Sequence, residues 1–320
     1  MSVNLDKPER WKADVARSVD LYNEWFMKFA PKAYRESRAK TAQKVEATLK
    51  ATDSLQNVRP MILRENPAVL PTLRMATCPP LARDRLSGLS GVSRAIVNRL
   101  DKEHKLPVRM AASALDTELK KICAVIEKLA DRDLCAWLER RTAPKPDELE
   151  RAATIIADRL CGATADPIIR NAQEERQLKL IGNWLNARGY KAVAAGSGVK
   201  FESMPAGSYA FRLNVSALAV DQGVRRVNIP VDVAIRPKTA SDDSSICIEA
   251  KSAGDFTNVN KRRKEEAQKM SQLRRTYGKK VRYILFLCGY FDSGYLGYEA
   301  AEGIDWVWEH RIDDLAEFGL

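Results

Sequence analysis

The chain is expected to fold as a mostly helical N-terminal region, residues 1–165, followed by an α/β domain, residues 166–320. Three observations predict this. Apolar residues recur at helical spacing through most of the first half. Residues 227–235 alternate apolar and polar, the period of a strand. The run VRYILFLCG at 281–289 is almost wholly apolar, as in a strand covered on both faces. A length of 320 residues allows about two domains, and an apolar content of 45% supports a sizeable core.

In chain order, residues 11–29 carry Val15, Val19, Tyr22, Trp25, Phe26 and Phe29 on one helical stripe, and residues 34–49 continue with weaker amphipathicity. Five prolines between 57 and 80 break the chain into short helices or turns. Residues 81–100 and 111–140 are again helical. RRTAPKPDE (140–148) reads as a break, with Asp147 able to cap a helix running to about Leu160. The texture then changes. Residues 167–189 form a helix with Leu178, Ile181, Trp184 and Leu185 on one face and Gly189 as its stop. Strands are expected at 209–215, 224–235 and 246–250. A basic helix follows at about 260–277, then the buried strand at 281–289 and a short one at 305–308. The order is α-β-β-β-α-β.

Composition excludes several classes. No apolar run approaches the roughly 18 residues of a transmembrane helix, so no membrane association is expected, and the polar, charged start MSVNLDKPERWKAD is not a secretory signal. Six scattered cysteines without a CxxC pair argue against a zinc site and a disulfide framework, and fit a reducing cytoplasm. With only 2 histidines, nucleases built on paired histidines are excluded. SGLSGVSRAIVNRL (87–100) has the outline of a helix-turn-helix, but Asp84 stands where a small apolar residue should pack, so an ordinary helical hairpin is expected. The pairs Gly294-Tyr295 and Gly297-Tyr298 lie too close together for a GIY-YIG nuclease.

Charge is unevenly placed. The net is +11 overall and +8 over residues 1–165. Residues 261–282 hold 10 basic and 2 acidic side chains, whereas residues 283–320 hold 1 and 8. A concentrated basic block beside an acidic tail points to a polyanion-facing surface, with nucleic acid the commonest such partner. A solvated face is the plainer alternative.

In VNIPVDVAIRP (227–237), the period places Val227, Ile229, Val231, Val233 and Ile235 on one face and Asp232 on the other. Pro230 cannot donate to a ladder, so this strand bends or lies near an edge there. In ICIEAK (246–251), Ile246, Ile248 and Ala250 share one face, and Cys247, Glu249 and Lys251 the other. Paired as a hairpin, the two strands bring Asp232, Glu249 and Lys251 to one mouth. Two close carboxylates need a compensating cation. A hard divalent ion such as Mg²⁺ serves, taking a few protein carboxylates with waters and substrate phosphate oxygens. Lys251 can orient or deprotonate an attacking water, which suits hydrolysis of a phosphodiester without histidine. A surface ion pair between Glu249 and Lys251 is the plainer alternative, since acidic-x-Lys also occurs at Glu103-His104-Lys105 and Glu118-Leu119-Lys120 in helical context.

Pro230-Val231-Asp232 followed by Glu249-Ala250-Lys251 resembles the signature of the PD-(D/E)xK nuclease superfamily. IEAKSAGDFTNVNKRRKEEAQKM (248–270) is similar to type II restriction endonucleases, most closely to the XamI-type family. The resemblance extends to residues 66–86 and 166–190, and thus over most of the chain. It departs from the superfamily in having Val231 directly before Asp232. The resemblance implies a PD-(D/E)xK core with a mixed central sheet flanked by helices, Asp232 and Glu249 as Mg²⁺ ligands, and Lys251 as the catalytic lysine, with one or two metals left open. A further acid would come from the first core helix, Glu174 in preference to Glu175. The alternative for both is helix-terminus charge. Asn258, Asn260, Lys261, Arg262 and Arg263 are expected to contact DNA; otherwise they are turn and cap residues.

The expected activity is hydrolysis of both strands of double-stranded DNA at a specific, palindromic site, giving 5′-phosphate ends. A palindrome suits a homodimer, and a companion DNA methyltransferase is expected genetically. A structure-specific repair or recombination nuclease, and a non-catalytic DNA-binding protein with a nuclease-like fold, are the alternatives. Trp306 and Trp308 read as strand packing.

Overall fold

The computed structural model describes residues 2–194, 196–219, 225–239, 245–256, 263–278 and 280–320, with Arg263 described through its backbone only. The chain divides into two compact units, Met1–Phe29 with Arg170–Leu320, and Ala30–Ile169. The first 29 residues therefore belong with the C-terminal α/β unit, not with the helical region in which the single boundary near 165 had placed them. Their anchor is specific. The backbone N–H groups of Val3 and Asn4 donate to the Asp305 carboxylate at 2.6 and 2.9 Å, across about 300 positions of sequence.

The helical unit is built from parts of α1 (Pro8–Ala51) and α8 (Pro146–Ala187), with α2 (Pro60–Glu65), α3 (Leu70–Met75), α4 (Arg83–Ser90), α5 (Arg94–Glu103), α6 (Ala112–Lys128) and α7 (Trp137–Arg140) between them. Leu63, Leu70, Leu73, Leu100, Leu119 and Trp137 are sealed in one core. Trp137 buries its ring and satisfies its indole N–H on the Ser54 carbonyl at 2.8 Å, as a buried tryptophan requires. The buried Arg74–Asp101 pair, 2.6 Å, meets the demand that buried charges be matched. Residues 83–103 form the expected helical hairpin, α5 being capped by Ser93.

The structure departs from the sequence expectation at two places in these helices. Pro31 and Pro167 lie inside α1 and α8, so each pair of expected helices is one continuous helix. Proline removes one donor and crowds one carbonyl, a cost that the long apolar stripes on either side of it override. Asp147 is not the cap of α8. It sits in the first turn, and the neighbouring Glu148 instead accepts the Lys145 backbone N–H at 3.0 Å.

The α/β unit holds a six-stranded sheet in sequence order: β1 (Lys191–Ala192), β2 (Ser208–Leu218), β3 (Arg226–Arg236), β4 (Ile246–Ala253), β5 (Arg282–Gly289) and β6 (Asp305–Trp308). The β2–β3 and β3–β4 pairs are antiparallel; β1–β2, β4–β5 and β5–β6 are parallel. The sheet is thus mixed, with helices on both faces. Leu178, Ile181, Trp184 and Leu185 of α8 cover one face together with Val233, Ile235, Ile248 and Phe286. Met270 and Leu273 of α9 (Arg263–Tyr277) and Tyr295 and Leu296 of α10 (Ser293–Ala301) cover the other, with Val231, Leu285, Trp306 and Trp308. Covering on both sides explains the continuous apolar texture of β5. Trp306 and Trp308 are fully buried strand packing, as expected.

The alternation along β3 does not persist on one face. Ile229 and Val231 face α9, whereas Val233 and Ile235 face α8. β2 reverses at the matching point. Phe211 packs toward Gly182 of α8, whereas Leu213 and Val215 face α9. The hinge is the Arg212–Asp232 position, absent from an otherwise regular register. Arg212 has φ +51, a left-handed conformation that inverts the side to which the strand presents its next residues. The expected single apolar face of β3 is therefore split at Asp232.

Gly289 closes β5 with φ +104. A Cβ there would overlap the Ala253 carbonyl oxygen on β4. Gly289→Ala is expected to destabilise the α/β unit by about 3 kcal/mol or more, read as a lower midpoint in urea unfolding.

Candidate active site

The β3–β4 ladder runs only through Ile235–Ile246, Ala234–Cys247 and Val233–Ile248. Beyond it the strands part, and Asp232 turns its carboxylate into the gap. Its Oδ2 accepts the Ala250 backbone N–H at 2.8 Å, so an acidic side chain replaces the carbonyl that a continuing ladder would supply. Pro230, with no N–H to lose, lies on this unpaired stretch and keeps its register only with Asn214 of β2.

Glu249 and Lys251 leave β4 toward α9, as their period predicts. Glu249 Oε1 accepts from Lys269 Nζ at 2.8 Å. The Lys251 ammonium forms an ion pair with Glu266, whose side chain is only 2% exposed. Residues 266 and 269 lie three apart, hence on one helix face, and meet the strand charges at 249 and 251 with opposite sign. Behind Lys251, the Gln177 side-chain amide of α8 donates to the Lys251 carbonyl at 3.3 Å and the Phe286 carbonyl at 3.4 Å.

Glu174 of α8 completes the cluster. Arg212 donates from Nε and Nη2 to Glu174 Oε1 at 3.1 and 3.0 Å. Glu175 instead lines a neighbouring groove with Lys179 and Asn183. Burial, then the charges of Glu249 and Glu174, raise the Asp232 carboxyl from its ordinary 3.8 to about 6, against the opposing Ala250 hydrogen bond. Burial disfavours the charged form of Asp232, and the two neighbouring carboxylates add to that effect. Burial also raises the Glu266 carboxyl, against the pull of Lys251, and pushes Glu299 to about 8, with Glu266 adding to it.

The structure thus brings together Asp232, Glu249, Lys251 and Glu174 at the splayed end of two strands. Among the described residues, no set of three His, Cys, Asp or Glu side chains is gathered closely enough to hold an ion alone. Asn258, Asn260, Lys261 and Arg262 lie outside the described residues, and Arg263 opens α9 with its side chain undescribed. Sequence reasoning missed Arg212, Glu266 and Lys269. The last two were counted only within the net charge of a basic block; their spacing of three, matched to a spacing of two on the strand, was the available signal. No described helix is long and apolar enough to cross a membrane.

A family model described as the XamI restriction endonuclease matches residues 53–308. The type II restriction enzyme SalI of Streptomyces albus G is 52% identical over 318 residues, covering 99% of each chain. A solved structure, protein VC1899 from Vibrio cholerae, matches at 13% identity with a TM-score of 0.26, over 90% of this chain and 55% of that one. A likeness that low carries no argument. The family model spans most of the chain, including β3 and β4, and the relative spans nearly all of it. This chain belongs to the XamI restriction endonuclease family.

Proposed function

We propose that this protein is a Mg²⁺-dependent type II restriction endonuclease, with a PD-(D/E)xK core, that hydrolyses both strands of duplex DNA at a specific palindromic site. The observation that carries the reading is the parting of β3 and β4 around Asp232, whose carboxylate takes the N–H of Ala250, the residue between Glu249 and Lys251. Family membership and the similarity to a type II restriction enzyme over its whole length support the substrate.

The donor set fits a hard cation. Asp232 is held near other carboxylates at a cost visible in its raised proton affinity, and the Lys269 ammonium already answers the charge of Glu249. Asp232 and Glu249 would hold Mg²⁺, with Glu174 assisting through its second oxygen. Two or three protein carboxylates suffice for Mg²⁺, which keeps waters and takes substrate phosphate oxygens. When bound, the ion supplies Lewis-acid stabilisation of the charge that develops on the phosphoryl oxygens.

The chain's own residues do the rest. The Lys251 Nζ has three N–H donors, of which the pair with Glu266 uses one. The others orient the attacking water and donate to a non-bridging phosphate oxygen. The water oxygen bonds to phosphorus as it gives up one proton to solvent, the P–O3′ bond breaks, and O3′ takes a proton from solvent, leaving 5′-phosphate and 3′-hydroxyl ends. Lys261, Arg262 and Arg263 would hold the flanking backbone phosphates, and Asn258 and Asn260 would read base edges. The helical unit, Ala30–Ile169, contributes DNA-binding or structural surface. A homodimer matches a palindrome, with a companion methyltransferase in the same cells.

Incubation of purified protein with long mixed-sequence DNA and Mg²⁺ is expected to give discrete fragments with 5′-phosphate ends, and EDTA to stop the reaction. A smear, or cutting confined to branched DNA, would contradict the reading.

Arg212 tests the part played by Glu174. Arg212→Gly relieves a left-handed backbone that only glycine adopts freely, so stability is expected to hold or rise by up to about 1 kcal/mol. Freed from its clamp, Glu174 no longer faces Asp232 reliably, and cleavage is expected to fall roughly 10- to 100-fold. Urea unfolding and initial cleavage rates check the two halves.

A further inference from the structure

We propose that Glu266 is the positioning residue for Lys251: it anchors the ammonium from α9 and fixes it at the point where water meets the scissile phosphate. The inference rests on the assignment of Lys251 to the reaction.

The Lys251 side chain has four carbon–carbon rotors and a compact charge with no preferred approach direction. Nothing in β4 itself fixes its tip, since a strand residue's neighbours on its own face lie two positions away. Glu249, two positions back, is engaged by Lys269. Only Glu266, from another element, forms an ion pair with Lys251 among the described residues. The pair is well shielded, with side-chain exposures of 14% for Lys251 and 2% for Glu266. An ion pair so placed is screened little by solvent, and a nearly sealed carboxylate is costly unless its counter-charge is held in place.

The setting around Glu266 is built, not incidental. Glu299 of α10 lies fully buried behind it, and the negative charge of Glu266 helps to keep Glu299 protonated at neutral pH. Of this buried acidic pair, Glu266 is the member that forms the ion pair with Lys251.

The alternative is that Glu266 merely neutralises a half-buried lysine and holds α9 on the sheet. The two differ in what an altered side chain does. Glu266→Asp keeps the charge but withdraws it by one methylene; Glu266→Gln keeps the shape but removes the charge. On a duplex carrying one site that the parent cuts, both variants are expected to lose kcat, about 10-fold for Glu266→Asp and about 100-fold for Glu266→Gln. KM is expected to stay within about threefold. Loss of a positioning contact alone moves kcat in this way.

Unfolding midpoints and duplex binding in Ca²⁺ are measured alongside. Rates are normalised to folded protein, so a variant that melts lower still reports. Rates that match the parent once so normalised would overturn the proposal, as would a loss confined to KM. Lys251→Ala separates the layers. If it abolishes cleavage while both Glu266 variants cut normally, the positioning role fails and the catalytic assignment stands. If Lys251→Ala itself cuts normally, the assignment of Lys251 falls and the positioning role with it.

Discussion

Asp232→Asn is expected to make the metal-free protein more stable at neutral pH while eliminating DNA cleavage. Burial and the neighbouring charges of Glu249 and Glu174 raise the Asp232 carboxyl to about 6 in the folded protein, against an ordinary 3.8. A carboxyl raised on folding costs stability once it ionises. Below about pH 4 both folded and unfolded chains carry the proton and there is no cost. Between 3.8 and about 6 the unfolded chain ionises first, so stability falls as pH rises. Above about 6 the full cost remains, on the order of 2 kcal/mol after allowance for partial solvent access. Asparagine mimics the neutral form and can still accept the Ala250 N–H. Its advantage in urea unfolding should therefore be absent near pH 4, grow through pH 5 and level off above 6. The same variant loses the acid at the centre of the cluster, and the cleavage rate is expected to fall by about 10³-fold. Stability gained where activity is lost is the mark of a site held under strain for function.

Lys251→Ala should behave differently. It removes the cation that meets Glu266, leaving a carboxylate 2% exposed without its partner, so this variant is expected to be less stable, by about 3 kcal/mol. Cleavage should fall by between about 10² and 10⁴-fold, the usual worth of a positioned proton-transfer or orienting group. Binding to duplex DNA in Ca²⁺ should survive, because one charge among many basic contacts is lost. Lys251→Arg is not expected to restore the rate. A planar fork cannot take the place of a compact ammonium in the space before Glu266.

Much of the α/β unit was legible in the sequence because its signals are local. The alternation in 227–235 and 246–251 marked β3 and β4, and the same period placed Glu249 and Lys251 on one side of their strand. The all-apolar run marked β5 as covered on both faces. What was not legible depends on partners distant in sequence. The split of β3 at Asp232 lies opposite the left-handed backbone of Arg212 on a different strand, and alternation alone carried Val227, Ile229, Val231, Val233 and Ile235 to one face. The ion pairs of Glu266 and Lys269 depend on how α9 lies over β4. The junction of Met1–Phe29 with the α/β unit hangs on a carboxylate near the far end of the chain, at Asp305. Pro167 suggested a helix start by local rule, and packing over the length of α8 outweighed it.

The proposed cleavage of DNA at the parted ends of β3 and β4 is tested most directly by digestion of long mixed-sequence DNA in Mg²⁺ by the parent and, separately, by Asp232→Asn, Glu249→Gln and Lys251→Ala, each first shown to be folded. The predicted result is a fixed set of discrete fragments from the parent and intact DNA from all three variants. The same fragments, produced at the parental rate by any one of the three, would contradict it.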